Sequence, residues 1–311
     1  MKITPESKFL ITGGSGLVGQ ALTKFLRMHG YENLKSLSSS DCDLRNGKEV
    51  EQVLSDEKPD FVFHLAAKVF GLGGNAKFKS DVLVDNVLIN TNVVEASRKV
   101  NVKKIVAMGS GCVYPDFADQ KPVREEQIWE GAPHPSEDSY GHSKRLMLAH
   151  LQASRSQFGT KFAFAISGNL YGPGDNFDIE NGHVTPSLIS KFHTAKSQGR
   201  KVSVWGTGAA IRDFTYSDDM AAALYIILQN QEGPINAGSG NRHSIREIVE
   251  ILSEHTGVEV EWDGSKPDGQ LARFYDMSKL EAAGFKPVVG LKEGVIKTFD
   301  WYAENFPNVR K

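Results

Sequence analysis

Tyr140 and Lys144 stand four positions apart, a step that puts both side chains on one face of a helix. An ammonium beside a phenol favours the phenolate and makes the ring oxygen a usable proton donor or acceptor. A Tyr-x-x-x-Lys pair arises by chance on many solvated helix faces, so its company decides its meaning. About 120 residues upstream lies a glycine-rich run, Gly13-x-x-Gly16-x-x-Gly19, with Leu17 and Val18 inside it. In such a run the first glycine permits a sharp turn, the second lets the backbone approach a pyrophosphate, and the third allows close helix packing. The helix N-terminus then faces the anion. Together the two motifs predict a dinucleotide-dependent proton and hydride transfer.

The elements that must position them are legible in the apolar patterning. Lys8 to Thr12 reads as a strand ending at glycines, and Leu17, Val18, Ala21, Leu22, Phe25 and Leu26 recur at helical spacing. Leu34 to Leu37, Phe61 to Leu65, Lys104 to Met108 and Phe162 to Ile166 read as further strands. Helical stretches Lys48 to Glu57 and Val82 to Val100 lie between them, and Phe70 to Asn75 reads as a glycine-rich loop. This alternation predicts an α/β chain with a Rossmann-type, doubly wound parallel sheet. Past Ile166 the alternation weakens, and it returns with a helix at Ser217 to Leu228 and a strand at Pro234 to Ala237. The expected division is a nucleotide-binding domain of residues 1–166 and 213–238, and a smaller α/β substrate-binding lobe of residues 167–212 and 239–311.

At 311 residues, with 40% hydrophobic and 24% charged residues, the chain has the composition of an ordinary globular protein. A net charge of −2 leaves no electrostatic footprint for nucleic acid. No run of ~18 apolar residues suggests a membrane span, and Met1 to Lys8 does not read as a signal peptide; a cytoplasmic protein is expected. Cys42 and Cys112 fit neither a disulfide framework nor a metal-ligand spacing, and no metal is expected.

An acidic residue at the end of the second strand selects NAD by bonding the ribose 2′-hydroxyl. Here Ser38, Ser39 and Ser40 follow Leu37, with Lys35 nearby. Hydroxyls and a cation suit a 2′-phosphate, which favours NADP(H). Asp41 and Asp43 are the competing reading, because a small register shift brings an acid to the ribose. Asp43 and Leu44 are expected over the adenine.

The glycine turn, Tyr140, Lys144 and Ser110 at a strand end resemble the extended short-chain dehydrogenase/reductase family. Longer segments are similar to its branch of GDP-4-keto-6-deoxymannose 3,5-epimerase/4-reductases: TGGSGLVG (Thr12 to Gly19), HLAAKV (His64 to Val69), GSGCVYP (Gly109 to Pro115), SYGHSK (Ser139 to Lys144), NLYGPGDNFD (Asn169 to Asp178), GHVTPSLISKFHTAK (Gly182 to Lys196), VWGTG (Val204 to Gly208) and DGQ (Asp268 to Gln270). The resemblance implies an NADPH-dependent enzyme and a GDP-sugar partner. Tyr140 would protonate the developing alkoxide, Lys144 would hold the phenol's pKa down and bind the nicotinamide ribose, and Ser110 would bond the ketone oxygen. Epimerisation needs a second acid–base pair, and Cys112 and His183 occupy the matching positions; a thiol near its ordinary ~8.5 exchanges protons readily. Leu65, Ala66, Ala67 and His183 would also touch the cofactor. Asn169, Lys191, Trp205, Arg212 and Arg273 would hold the nucleotide diphosphate and sugar. An asparagine supports the lysine in related reductases, and Asn86, Asn90 and Asn92 compete for that part.

Three departures fall near the sugar: Gly111 in place of a polar residue, Phe70 within an expected double glycine, and Ser167-Gly168 in place of Pro-Thr. They leave open a related GDP-4-keto-6-deoxy sugar. A sugar-nucleotide 4-epimerase or dehydratase and a non-catalytic NADP-binding sensor are the other readings; a dehydratase would carry an acid pair where Gly111 and Cys112 stand. The resemblance also implies a homodimer, for which Leu146, Leu148 and Leu151 could supply a helix face or simply core.

Overall fold

The computed structural model describes residues 2–71, 74, 77–117, 121–180, 182–265 and 272–311. The DGQ segment and part of the expected loop from Phe70 lie outside them. In chain order the first half runs β1 (Phe9–Thr12), α1 (Leu17–Met28), β2 (Leu34–Leu37), α2 (Gly47–Glu57), β3 (Phe61–His64), α3 (Lys79–Lys99), β4 (Lys104–Met108), α4 (Asp138–Phe158) and β5 (Phe162–Ser167). Next come β6 (Asn169–Tyr171), α5 (Val184–Gln198), β7 (Val202–Trp205), β8 (Ile211–Arg212), β9 (Phe214–Tyr216), α6 (Ser217–Asn230) and β10 (Gly233–Ala237). The rest is β11 (His243–Ser244), α7 (Ile245–Thr256), β12 (Val260–Asp263), β13 (Ala272–Arg273), α8 (Ser278–Ala282) and α9 (Leu291–Asn305).

Six strands form a parallel sheet in the order β10-β5-β4-β3-β1-β2. Strands β1, β3, β4 and β5 are buried along their whole length, as expected where helices cover both faces of a parallel sheet. Their apolar runs are therefore continuous rather than alternating. On α1 the buried positions Leu17, Ala21, Leu22 and Leu26 form one stripe, and Gly159 ends α4 in the left-handed conformation. Lys104, at the start of β4, is buried and donates to the carbonyls of Ile227, Leu228 and Gln231. It thereby satisfies the free C-terminal carbonyls of α6.

A second core gathers Phe177, Leu188, Phe192, Ile248, Leu252, Phe299 and Tyr302. Strands of the short sheets β12-β7 and β6-β9 contribute to it, and a further short sheet has the order β11-β8-β13. Tyr275, Met277, Leu280 and Phe285 pack instead into the core of the six-stranded sheet.

One buried network links the strand ends that face the glycine turn to the helix bearing Lys144. The Thr12 hydroxyl bonds His64 Nδ1 at 2.8 Å, and His64 Nε2 bonds Asn90 Oδ1 at 3.0 Å. Thr12 Oγ1 accepts from Leu65 N and Ala66 N, which leaves its proton for His64. The ring therefore carries its proton on Nε2, and burial, aided by Lys144, pushes its pKa down to about 3. Asn90 Nδ2 then reaches the Ser143 carbonyl on α4 at 3.4 Å. Asn90→Val strands the buried His64 N–H, so urea unfolding is expected to show a loss of about 1–3 kcal/mol; an unchanged midpoint would leave the network without a structural role.

Candidate active site

The glycine turn has the form its spacing predicts. Gly13 is left-handed, at φ 72°, and a Cβ there would lie 2.8 Å from Ala66 N, so this position has no room for a side chain. A Cβ on Gly19 would come within 2.2 Å of the Gly13 carbonyl, and α1 packs at that distance. Gly16 is the N-cap of α1, whose first turn carries no acid. Leu65, Ala66 and Ala67 follow β3 directly beneath this turn. Backbone N–H groups, a helix N-terminus and a floor of small residues fit a dinucleotide pyrophosphate.

After β2, Asp41 is committed to the turn itself: Oδ2 accepts from Ser38 N at 2.7 Å and from Ser38 Oγ at 2.5 Å. Asp43 is engaged by Arg45 through two bonds of 2.9 Å. Lys35 points away and pairs with Glu57 at 3.1 Å, so it is not the cation expected beside the serines. Arg45, at this end of the site, is paired with both Asp43 and Asp85, and Asn92 fixes its backbone and that of Leu44. Asn86 bonds the Lys68 backbone, and Lys144 takes its support from a carbonyl rather than from any of the three asparagines.

The expected chemical groups meet where the first turn of α4 abuts the chain after β4. Lys144, 1% exposed, donates to the Met108 carbonyl at 2.9 Å. Burial pushes its pKa down to about 7, where the amine is half charged at neutral pH. Tyr140 is also buried, and burial, with the charges of Cys112 and Glu137, raises its pKa. The direction is opposite to the expected depression, because desolvation outweighs a neighbouring amine that has itself lost charge. Ser110 Oγ donates to Cys112 Sγ at 3.2 Å and accepts from Cys112 N, holding the thiol at the tip of a short 3-10 turn. The thiol is pushed up to about 12 by burial first and by Glu137 second, against the pull of Arg273. This replaces the expectation of a thiol near its ordinary range.

Glu137 is the residue that sequence reasoning missed. It forms an ion pair with Arg273 at 2.5 Å, the two side chains only 16% and 12% exposed. Arg273 Nη1 lies 4.0 Å from Cys112 Sγ. The carboxylate bonds the Cys112 thiol and its field reaches Tyr140, His183 and Arg212. Burial opposes its charge, yet Arg273 wins and holds its pKa below the usual range. Position 137 gave no signal because its meaning comes from Arg273, 136 positions away in sequence.

His183 is the N-cap of α5 and is solvent-exposed. The protein surrounding its cleft lowers its pKa, Arg310 adds to this, and Glu137 opposes it. The loop leading to it is tied internally: Asn176 Oδ1 accepts from Asp178 N, and Gly182 N donates to the Asp178 carbonyl. Within that loop Asp175 is 3% exposed; Oδ1 accepts from Asn176 N, and Oδ2 has no hydrogen-bond partner.

At the far end, Arg212 and Arg273 are register partners on the parallel strands β8 and β13. Burial and the Arg273 charge lower the pKa of Arg212. Two guanidiniums side by side suit an anion site. Lys191 lies 5.5 Å from the ring centroid of Trp205, which is 66% exposed. Asn169 N donates to the Asp213 carbonyl, placing β6 beside this group. The departures at Gly111 and Gly168 share a neighbour: a Cβ on Gly111 would lie 1.9 Å from the Tyr275 hydroxyl, and one on Gly168 would lie 3.0 Å from the same ring and 3.0 Å from the Asp213 carbonyl oxygen. Tyr275 brings a hydroxyl to the wall beside Cys112, where position 111 itself has none.

Fold and site define a Rossmann-type enzyme that pairs a dinucleotide turn with a Tyr-Lys couple. The chain belongs to the NAD dependent epimerase/dehydratase family, which it matches over residues 9–238. It is 39% identical to "Probable GDP-L-fucose synthase 1" of Oryza sativa subsp. japonica, over 98% of this chain and 94% of that protein. Among solved structures it is similar to a GDP-L-fucose synthetase from Naegleria fowleri bound to NADP, with TM-score 0.92, 31% identity, and 100% of this chain and 97% of that one covered. A GDP-mannoheptose C4 reductase from Campylobacter jejuni with NADP bound gives TM-score 0.87 and 30% identity, over 97% and 99% of the two chains. The resemblance drawn from the motifs and the doubly wound fold are both borne out.

Burial pushes Asp175 up from 3.8 to about 7, against the pull of the Asn176 N–H and Arg310. The folded protein keeps a proton there that the unfolded chain releases near pH ~4, so stability falls as pH rises from about 4 to about 7. Asp175→Asn is expected to raise stability by up to about 4 kcal/mol at pH ~8 and to leave it nearly unchanged near pH ~4. Urea melts at both pH values check this; equal effects at the two would mean that the carboxyl titrates normally.

Proposed function

We propose that this chain carries out NADPH-dependent 3,5-epimerisation and 4-keto reduction of GDP-4-keto-6-deoxy-D-mannose to GDP-L-fucose. The observation that carries the reading is the convergence on Glu137 of two proton-transfer sets, Tyr140 with Lys144 and Cys112 with His183, beside the paired guanidiniums of Arg212 and Arg273. The relatives with GDP-L-fucose synthase names support the sugar nucleotide.

The 4-ketone acidifies the neighbouring C3 and C5 positions. One of Cys112 and His183 removes a proton from one face of the sugar, and the other returns a proton to the opposite face, so each inversion is neutral overall. Ser110, at the end of β4, hydrogen-bonds the ketone oxygen and stabilises the enolate that forms between these steps. The nicotinamide supplies hydride to C4 when bound. Tyr140 protonates the resulting alkoxide, which is more basic than even a buried phenol, so a raised phenol pKa keeps the proton in place until it is needed. Lys144 is near its midpoint at neutral pH and can resupply that proton. Arg212 and Arg273 hold the diphosphate, while Lys191, Trp205 and Asn169 hold the rest of the nucleotide sugar.

NADP(H) is favoured over NAD(H) because the carboxylates of Asp41 and Asp43 are already bonded to Ser38 and Arg45 and are not offered to a ribose hydroxyl, while Ser39 stands beside them for a 2′-phosphate. Both solved relatives described above carry NADP. Reduction of a related GDP-4-keto-6-deoxy sugar is the second reading, favoured by the Tyr275 hydroxyl in the sugar wall and by the heptose reductase relative. Membership in an enzyme family sets aside the sensor reading. A cytoplasmic homodimer is part of the proposal, formed through α3 and α4. Val84, Leu88 and Leu146 are exposed there, whereas Leu148 and Leu151 belong to the core.

Purified protein mixed with NADPH and GDP-4-keto-6-deoxymannose is expected to consume NADPH and yield a product inverted at C3 and C5. Consumption without inversion would move the chain to the second reading, and no consumption with any GDP-4-keto sugar would overturn both. Calorimetric titration is expected to show NADPH binding at least roughly tenfold tighter than NADH, with Ser39→Asp removing that preference. An unchanged preference in the variant would take Ser39 out of the 2′-phosphate site.

A further inference from the structure

The chain following α9 returns to the glycine turn. Phe177 N–H donates to the Arg310 carbonyl at 2.9 Å, which ties this segment to the loop carrying Asp175 and His183. The Arg310 side chain extends over the turn: a Cβ on Gly16 would lie 3.6 Å from Arg310 Nη1. Gly16 is the N-cap of α1, the positive end of that helix, with no acid in its first turn. Arg310 is solvent-exposed, so the repulsion between its guanidinium and the helix N-terminus is modest, and an anion placed between the two would turn it into attraction from both sides. Asp175 does not serve as that anion. Its Oδ1 is taken by Asn176 N–H and its Oδ2 makes no hydrogen bond, although it feels the Arg310 charge. His183, the other group whose pKa responds to Arg310, adds no negative charge.

We propose that Arg310 binds the pyrophosphate of the dinucleotide, so that the segment after α9 completes a pyrophosphate site otherwise built from the glycine turn. The proposal rests on the dinucleotide reading of Gly13 to Gly19. Backbone N–H groups of the turn grip one side of the pyrophosphate, and the guanidinium fork donates to its oxygens from the other. Because the Arg310 carbonyl also holds the loop that carries His183, cofactor binding and the position of that histidine share one support.

The test is calorimetric titration of wild type, Arg310→Gln and Arg310→Lys with NADPH, NADH and GDP. Both dinucleotides contain the pyrophosphate, so Arg310→Gln is expected to weaken NADPH and NADH by the same factor, roughly tenfold. GDP affinity should not change. Arg310→Lys should recover part of the loss, since an ammonium restores the charge without the two-pronged geometry. Added salt should weaken dinucleotide binding more in wild type than in Arg310→Gln. Equal dinucleotide affinities in wild type and Arg310→Gln overturn the proposal. So does a loss confined to NADPH, which would mean a 2′-phosphate contact, or a loss confined to GDP, which would mean a substrate contact. Wild type that binds neither dinucleotide overturns the cofactor reading itself, a failure visible before any variant is compared. Side-chain substitution leaves the Arg310 carbonyl in place, and a melting temperature measured without ligand confirms that each variant is folded.

Discussion

The first turn of α4 lies directly against the backbone that follows β4, and the rest of the site depends on this contact. A Cβ on Gly141 would come within 2.3 Å of the Cys112 carbonyl, so α4 can approach only because that position is glycine. The Lys144 ammonium then reaches the Met108 carbonyl, while Glu137 and Tyr140 come to face Cys112. Burial follows from the same closeness, and burial sets the chemistry. It lowers Lys144 to about 7, raises Cys112 to about 12 and raises Tyr140. Lys144 is brought into the neutral range, while the Tyr140 phenol and the Cys112 thiol are held in their protonated forms, and these states respond to whatever enters the cleft.

Charge in such a place must be paired. Glu137 and Arg273 neutralise each other in a largely desolvated setting, where removing one partner typically costs about 3–5 kcal/mol. Arg212, in register with Arg273, adds a second guanidinium to the cluster. The pair therefore holds the cluster together, and the proposed function gives its guanidiniums the task of attracting a diphosphate. Behind it, the Asn90–His64–Thr12 chain joins α4 to the floor of the glycine turn, so the proton-transfer groups and the cofactor floor share one rigid frame.

What the sequence made legible was local. Strand, glycine turn and helix lie within residues 8–28, and each glycine's role follows from neighbours a few positions away. Tyr140 and Lys144 share one helix, and Ser110 and Cys112 share one turn. The unread parts are pairings across the chain: Glu137 with Arg273, Tyr275 with Gly111 and Gly168, and Arg310 with Gly16. A glycine in place of a hydroxyl looks like a loss until the ring that fills the space is seen. Lys35 misled because closeness in sequence to the serines is not closeness in space. Its side chain leaves the edge strand β2 toward Glu57. The pKa directions were equally hidden, since desolvation is a property of the assembled site.

The division of labour between the two proton-transfer sets is tested most directly by hydrogen exchange in deuterated water, with the GDP-4-keto-6-deoxy sugar and oxidised cofactor, so that reduction cannot drain the intermediate. Wild type should incorporate deuterium at C3 and C5. Tyr140→Phe should keep that exchange while its reduction with NADPH falls by roughly 10²–10⁴-fold, and Cys112→Ser should lose the exchange while still binding dinucleotide. Exchange that persists in Cys112→Ser, or that falls in Tyr140→Phe as far as reduction does, would contradict it.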